Sequence, residues 1–262
     1  MLSSTAQRFK RLARAAVRVA LRLVRPEEIA YSRPRASWDE AKRGTVAYDA
    51  DKPFASVLAA ALAVKEGRAA FSVGGRTFPV LRYRWSLLAP LLDAFARAPA
   101  DRPVHVLDFG GALGRVYFQH LNFLARQRPF LWSVVELPRY VEAGNTRFAD
   151  GRLQFFDTLD AAAARAPVDV ALFSGSLEYL DEPERVLSAV AALRPRAIML
   201  DWTHLTGAEA DEIRVQRIRP PRSEGRYALR VFSRRGFTER MRSLGYDLVA
   251  PLPDGFYFER RA

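Results

Sequence analysis

The chain has no cysteine and only three histidines. The first absence excludes disulfides, thiolate metal ligands and a cysteine nucleophile. His105, His120 and His204 show no His-x-x-x-His spacing, so no protein-bound metal is expected. Lysine is nearly missing: Lys10, Lys42, Lys52 and Lys65 stand among 41 Lys and Arg, so the net charge of +12 is an arginine charge. Seven of these cations fall in residues 1–25, which hold no acid, and the rest of the chain carries only +5. Beyond residue 25 there is no RNA-binding signature and no basic–aromatic interleaving, so nucleic acid is not the expected partner. No apolar run approaches the roughly 18 residues of a membrane span, and there is neither an internal repeat nor a low-complexity linker. What is present, 262 residues with 49% hydrophobic content, is ample for one large domain with a smaller N-terminal part.

The basic N-terminal segment has helical spacing. Phe9, Leu12, Ala16, Val19, Ala20 and Leu23 share one face, Arg11, Arg14, Arg18, Arg22 and Arg25 line the other, and Pro26 ends the run. Two readings stand side by side. The helix lies on an anionic membrane surface through residues 8–25, each cation contributing about 1 kcal/mol, or it docks its apolar stripe on its own domain. An Arg-rich, acid-poor start also resembles a mitochondrial transit peptide. Its short uncharged runs suit neither a span nor a secretory signal, so the expectation is a cytoplasmic protein, at the inner face of a membrane under the first reading.

The most informative stretch runs from Val104 to Gly114, Val-His-Val-Leu-Asp-Phe-Gly-Gly-Ala-Leu-Gly. An unbroken apolar strand is one buried on both faces, and a glycine turn after it lets backbone N–H groups approach a ligand. The acid ahead of the first glycine, Asp108, would repel a phosphate and suits a cationic ligand such as S-adenosylmethionine, with its sulfonium and ammonium groups. The alternative is an ordinary strand-to-helix turn. A nicotinamide-dependent Rossmann site needs Gly-x-Gly-x-x-Gly, and Ala112 and Arg115 occupy its second and third glycine positions.

The stretch resembles motif I of the class I S-adenosylmethionine-dependent methyltransferases, with Asp108, Gly110 and Gly114 on matching positions and Gly111 within the turn. The middle glycine of that pattern is Ala112 here, whose methyl crowds the cofactor side; a non-catalytic scaffold with the same fold is the reading this departure keeps open. Glu136 ends the next strand, 22 positions after Gly114, where a ribose-binding carboxylate falls in Rossmann-type sites. The resemblance further implies that Asp157, after Leu153–Phe156, meets the adenine amino group. It also implies that Ser176 and Leu177, in the stretch after a fourth strand at Val168–Phe173, flank the cofactor.

Alternating strands and helical stretches predict a parallel sheet. A fifth strand is expected at Ala197–Asp201, a helix at Phe237–Leu244, and a closing antiparallel pair at Tyr246–Val249 and Phe256–Phe258. The expected fold is thus α/β: a Rossmann-like class I methyltransferase sheet, parallel with a closing antiparallel strand, plus an N-terminal helical cap. The expected divisions are 1–26, 27–100 and 101–262. In the cap, Pro53–Lys65 reads as a helix opened by Asp51 as N-cap, Phe71–Phe78 as a tight hairpin and Ser86–Ala96 as a second helix. Trp38, Tyr48, Tyr83 and Trp85 are aromatic residues that either face an acceptor or pack in the core.

For methyl transfer to an alcohol, a base adds typically 10²–10⁴-fold. His204, just past the fifth strand, is the candidate base and Asp201 the fallback; His105 reads as a core histidine and His120 lies on a helix. Ser37–Ala41, Gly44–Asp49 and Asp201–Thr203 look similar to a bacterial group of methyltransferase-like proteins associated with surface-polysaccharide genes. That likeness implies an oxygen acceptor on a glycan or a related small or lipid-linked molecule.

Overall fold

The computed structural model describes residues 29–219 and 225–261. The basic segment at 8–25 lies outside them. In chain order the elements are β1 (Ile29–Tyr31), α1 (Trp38–Lys42), α2 (Asp51–Lys65), β2 (Phe71–Val73), β3 (Arg76–Phe78), α3 (Trp85–Arg97), β4 (Val104–Phe109), α4 (Arg115–Leu124), β5 (Phe130–Val135), α5 (Pro138–Arg147), β6 (Leu153–Phe156) and α6 (Leu159–Ala163). The second half adds β7 (Val170–Ser174), a 3-10 turn (Leu177–Tyr179), α7 (Pro183–Ala192), β8 (Ala197–Asp201), β9 (Leu205–Thr206), β10 (Glu212–Ile218), β11 (Gly225–Ser233), α8 (Arg234–Ser243), β12 (Tyr246–Leu252) and β13 (Gly255–Arg260).

The main sheet has seven strands in the order β12-β13-β8-β7-β4-β5-β6. Six run in one direction; β13 alone runs against them, inserted antiparallel between β8 and the edge strand β12. This is the expected Rossmann-like class I methyltransferase sheet. Side chains alternate across it with the period of two that a strand imposes. Val104, Val106, Trp132, Val134, Val170, Leu172, Ala197 and Met199 pack on one face with residues of α2 to α5. Ala171, Phe173, Ile198, Leu200, Phe256 and Phe258 pack on the other with Leu187 of α7 and Phe237 and Met241 of α8. Because both faces are covered, β7 and β8 are buried at every position, which is why they read as unbroken apolar runs.

Residues 29–84 do not form the cap alone. β1 pairs antiparallel with β10, β10 with β11, and β11 parallel with β9, making a four-stranded sheet drawn from both ends of the described chain. The expected hairpin is present as β2 and β3, with Gly74 and Gly75 both at positive φ, and a Cβ on Gly75 would stand 2.2 Å from Ser56 Oγ of α2. Two helix starts differ from expectation. Asp51 is the first helical residue, with Ala50 at the cap, and its carboxylate meets Arg139 at 2.7 Å. α8 begins at Arg234 because the Ser233 hydroxyl accepts the Gly236 N–H at 3.2 Å. The helix α3 packs Leu87, Leu88, Leu91 and Phe95 into the main core and so belongs to the sheet's cover.

The chain leaves β4 toward β5 and β6 on one side and returns to β7 and β8 on the other. Such a reversal opens a crevice at the carboxyl ends of the strands, the place where open α/β sheets bind ligands.

Candidate active site

A cavity of about 1260 Å³ lies over that crevice, roofed by the second sheet and by the β2–β3 hairpin. Single small-ligand pockets are typically 300–1,000 Å³, so this one has room for a cofactor and a second molecule together.

Five of the residues singled out from the sequence line it: Gly110, Glu136, Asp157, Ser176 and His204. Gly110 follows β4 at φ +70, and a Cβ there would meet the Ser176 Cβ at 2.4 Å. The Ser176 hydroxyl donates to the Phe109 carbonyl at 2.7 Å, which joins the turn after β7 to the turn after β4. Glu136 sits at the end of β5. Its Oε1 accepts the Ala112 N–H at 3.0 Å and its Oε2 the Leu137 N–H at 2.9 Å. Burial lifts its pKa to about 7; the two N–H bonds pull downward and the nearby Asp108 charge adds to the rise.

Asp108, Gly111, Gly114 and Leu177 stand behind the wall. Asp108 is fully buried beneath Gly111, where a Cβ would come within 2.5 Å of Asp108 Oδ2. Oδ2 accepts from Trp132 Nε1 at 3.1 Å, and Oδ1 has no hydrogen-bond partner. Burial lifts the pKa of Asp108 to about 6 against the pull of Arg115. Gly114 caps α4 at φ +81, and a Cβ there would press on Leu153 and Phe118 at 3.1 and 3.3 Å. Leu177 is buried in the core beside β7 and β8. Ala112 does line the cavity, at φ +50, a backbone state that costs an L-residue about 1–2 kcal/mol.

Asp201 does not reach the cavity. Its Oδ1 pairs with Arg84 at 2.6 Å and its Oδ2 accepts from the Ser174 hydroxyl at 2.6 Å, with only 3% of the side chain exposed. This pair anchors a cationic cluster that sequence reasoning missed. Arg115 donates to Ser174 Oγ at 2.7 Å, and the Arg84 and Arg115 guanidiniums lie 4.0 and 4.6 Å from the Trp202 ring centroid. Arg115 lines the cavity with its buried Nη1 unpaired. The only sequence signal for it was that it stands where a dinucleotide loop has its third glycine.

His204 is held at both nitrogens. Nδ1 is 3.1 Å from Oε1 of Glu178, and Nε2 is 2.8 Å from the Tyr31 hydroxyl. Glu178 is fully buried; burial raises its pKa and the His204 contact opposes the rise. Neither Glu178 nor Tyr31 was legible as a site residue, because their partner lies 26 and 173 positions away. The remaining histidines are core groups. His105 bonds the Ala166 carbonyl and Ser133 Oγ, and His120 bonds the Val116 carbonyl, with burial taking its pKa down to about 4. Of the four aromatic candidates, Trp38 and Tyr48 line the cavity, whereas Tyr83 and Trp85 pack edge-to-face against Phe123 of α4. Among the described residues no group of three His, Asp or Glu side chains is placed to hold a metal ion.

A sequence family described as a methyltransferase domain matches residues 80–250. No curated protein matches the chain. Among solved structures the chain is similar to the N-terminal domain of EvdMO1 with SAH bound, at 18% identity over 76% of this chain and 94% of that one, TM-score 0.47. It is also similar to SAM-bound CalS10, an amino pentose methyltransferase from Micromonospora echinaspora, at 16% identity over 66% and 89%, TM-score 0.42. An O-methyltransferase family protein from Burkholderia thailandensis is similar at 17% identity over 68% and 57%, TM-score 0.42.

Proposed function

The chain belongs to the methyltransferase-domain family, and from that premise we propose that it transfers a methyl group from S-adenosylmethionine to an oxygen of a glycan or a related small or lipid-linked acceptor. The observation that carries the reading is that Glu136 and His204 line one cavity, from the ends of the strands that flank the β4–β7 pair on its two sides.

The wall fits the cofactor. Each Glu136 oxygen is occupied by one backbone N–H and keeps a lone pair for a ribose hydroxyl. Gly110 leaves bare backbone beside Ser176, and Asp157 stands at the end of β6 for the adenine amino group. Arg115, which lines the cavity, sets a positive charge toward the carboxylate of the methionine part. Asp108, unpaired at Oδ1 under the glycine turn, contributes negative potential beneath a cationic ligand.

When bound, S-adenosylmethionine supplies a methyl group already activated on a sulfonium sulfur, so that positioning lowers much of the barrier. His204 takes the acceptor's proton. Trp38 and Tyr48 offer the flat faces on which a sugar ring stacks, and residues 8–25 would hold the chain at an anionic membrane surface where a lipid-linked acceptor resides. The reading is tested by a mass-spectrometric screen of hydroxylated acceptors for a methyl gain, followed by His204→Ala. That variant is expected to keep S-adenosylhomocysteine affinity and to lose about 10²-fold or more in kcat. Unchanged kcat would remove His204 from the chemistry.

A further inference from the structure

Resting on the methyl-transfer reading, we propose that the base of this site is a three-residue relay: Tyr31 meets the acceptor hydroxyl, His204 receives the proton through it, and Glu178 holds the charge that results.

Four hydrogen bonds run in one direction toward Glu178. The Tyr179 hydroxyl donates to Gln216 Oε1 at 3.0 Å, and Gln216 Nε2 donates to the Tyr31 oxygen at 3.3 Å. Tyr31 then faces His204 Nε2 at 2.8 Å, and His204 Nδ1 faces Glu178 Oε1 at 3.1 Å. An ionised carboxylate only accepts, so Nδ1 carries the hydrogen. Nε2 is left as a lone pair, and Tyr31 must donate to it. With its own proton directed inward and an amide N–H directed at its oxygen, Tyr31 presents an oxygen prepared to take a proton from outside.

Exposure falls along the same line. Tyr31 is 45% exposed, the His204 side chain 26% and Glu178 0%. Tyr31 therefore covers the one imidazole nitrogen that Glu178 leaves open, and an acceptor in the cavity reaches the Tyr31 oxygen first. Glu178 Oε2 is buried without a hydrogen-bond partner. A buried carboxylate so poorly paired is costly unless a cation stands beside it, and a protonated His204 is that cation. Glu178 is thus a positioning residue that also favours the protonated relay.

The step balances. As the acceptor oxygen forms its bond to the methyl carbon, the carbon–sulfur bond breaks and its electron pair stays on sulfur, leaving a neutral thioether. The acceptor proton passes to the Tyr31 oxygen while the Tyr31 proton passes to His204 Nε2. The result is an imidazolium beside the Glu178 carboxylate, which returns its proton to water through Tyr31.

The test needs neither cofactor nor acceptor at first. In full-length protein labelled with ¹⁵N-histidine, long-range ¹⁵N–¹H spectra at pH 8 should show His204, assigned by its loss in His204→Gln, as the Nδ1–H tautomer. Tyr31→Phe should keep that tautomer and move the Nε2 resonance toward that of an unbonded lone pair. Glu178→Gln should weaken the tautomer preference. An Nε2–H tautomer in the wild type, or an Nε2 signal unmoved by Tyr31→Phe, overturns the relay. Turnover is then read with the methyl glycoside that gains most methyl in a screened panel: Tyr31→Phe should lower kcat about 10²-fold with KM within a few fold, and a wild-type kcat overturns Tyr31 as the contact. If no methyl glycoside is methylated, the glycan reading fails while the tautomer spectra still decide the relay.

Discussion

Glu136 accepts the Ala112 N–H at 3.0 Å, so the acid that ends β5 holds the turn after β4 in place. One carboxylate thereby shapes the glycine turn and faces the cavity, and its raised pKa ties the stability of the protein to the readiness of the site.

The pKa of Glu136 is lifted from 4.5 to about 7 by burial. For an acid raised on folding, the favourable contribution is full below the unfolded value and is lost as pH rises through the folded one. The ligand-free protein is therefore penalised at pH 8, by about 1–3 kcal/mol at 1.36 kcal/mol per pKa unit with allowance for water in the cavity. Glu136→Gln removes that penalty but sets an amide N–H against the Ala112 or Leu137 N–H, so its stability relative to wild type should be about 1–3 kcal/mol more favourable at pH 8 than near pH 4.5. Urea unfolding at both pH values measures this. A stability difference between variant and wild type that is the same at both pH values would contradict it.

Ala112 occupies a left-handed backbone state, φ +50, that glycine adopts freely. Relief of about 1–2 kcal/mol of strain is offset by about 0.4–1 kcal/mol of extra unfolded-state entropy. Ala112→Gly should leave stability equal or up to about 1.6 kcal/mol higher, whereas the β-branched Ala112→Val should destabilise. Thermal denaturation of the pair should rank them in that order.

The Arg84–Asp201 pair is a structural anchor. Removing one partner of a buried pair leaves a desolvated charge and costs about 3–5 kcal/mol, and here Ser174 and the Arg84–Trp202 stack lose their support as well. Asp201→Ala should lower the free energy of unfolding by that much in chemical denaturation. A loss under 1 kcal/mol would show that the cluster holds without it.

Full-length protein should co-sediment with anionic vesicles, and a variant lacking residues 1–28 should not. Binding should weaken with salt, because the charge attraction is screened over about 8–10 Å near physiological ionic strength. Equal sedimentation of the two would contradict a membrane role, and precipitation of the shortened chain would point to the docked helix.

Much of the sheet was legible because its strands are buried on both faces. Ala197–Leu200 is an unbroken apolar run, and the strand expected at Ala197–Asp201 coincides with β8. Glu136 was legible from its distance to Gly114, since one crossover helix fixes how far the next strand end must fall. The roof was not legible. β10, Glu-Ile-Arg-Val-Gln-Arg-Ile, and β11, Gly-Arg-Tyr-Ala-Leu-Arg-Val-Phe-Ser, mix arginines with apolar residues, so each is a half-buried strand that charge content obscures. Recognising β1 as a strand required knowing that it pairs with β10, far along the chain. Tyr31 and Glu178 were invisible for the same reason: long-range pairing, not local pattern, places them on His204.

Calorimetric titration of S-adenosylhomocysteine into the full-length protein at pH 8 bears most directly on the central claim, that Glu136 and the turn it holds form an S-adenosylmethionine site. The wild type should bind, NAD should not, and Glu136→Ala should weaken binding tenfold or more, since a lost charge-assisted hydrogen bond costs about 1.5–3 kcal/mol. Unchanged affinity in Glu136→Ala, or tight binding of NAD, would contradict the account.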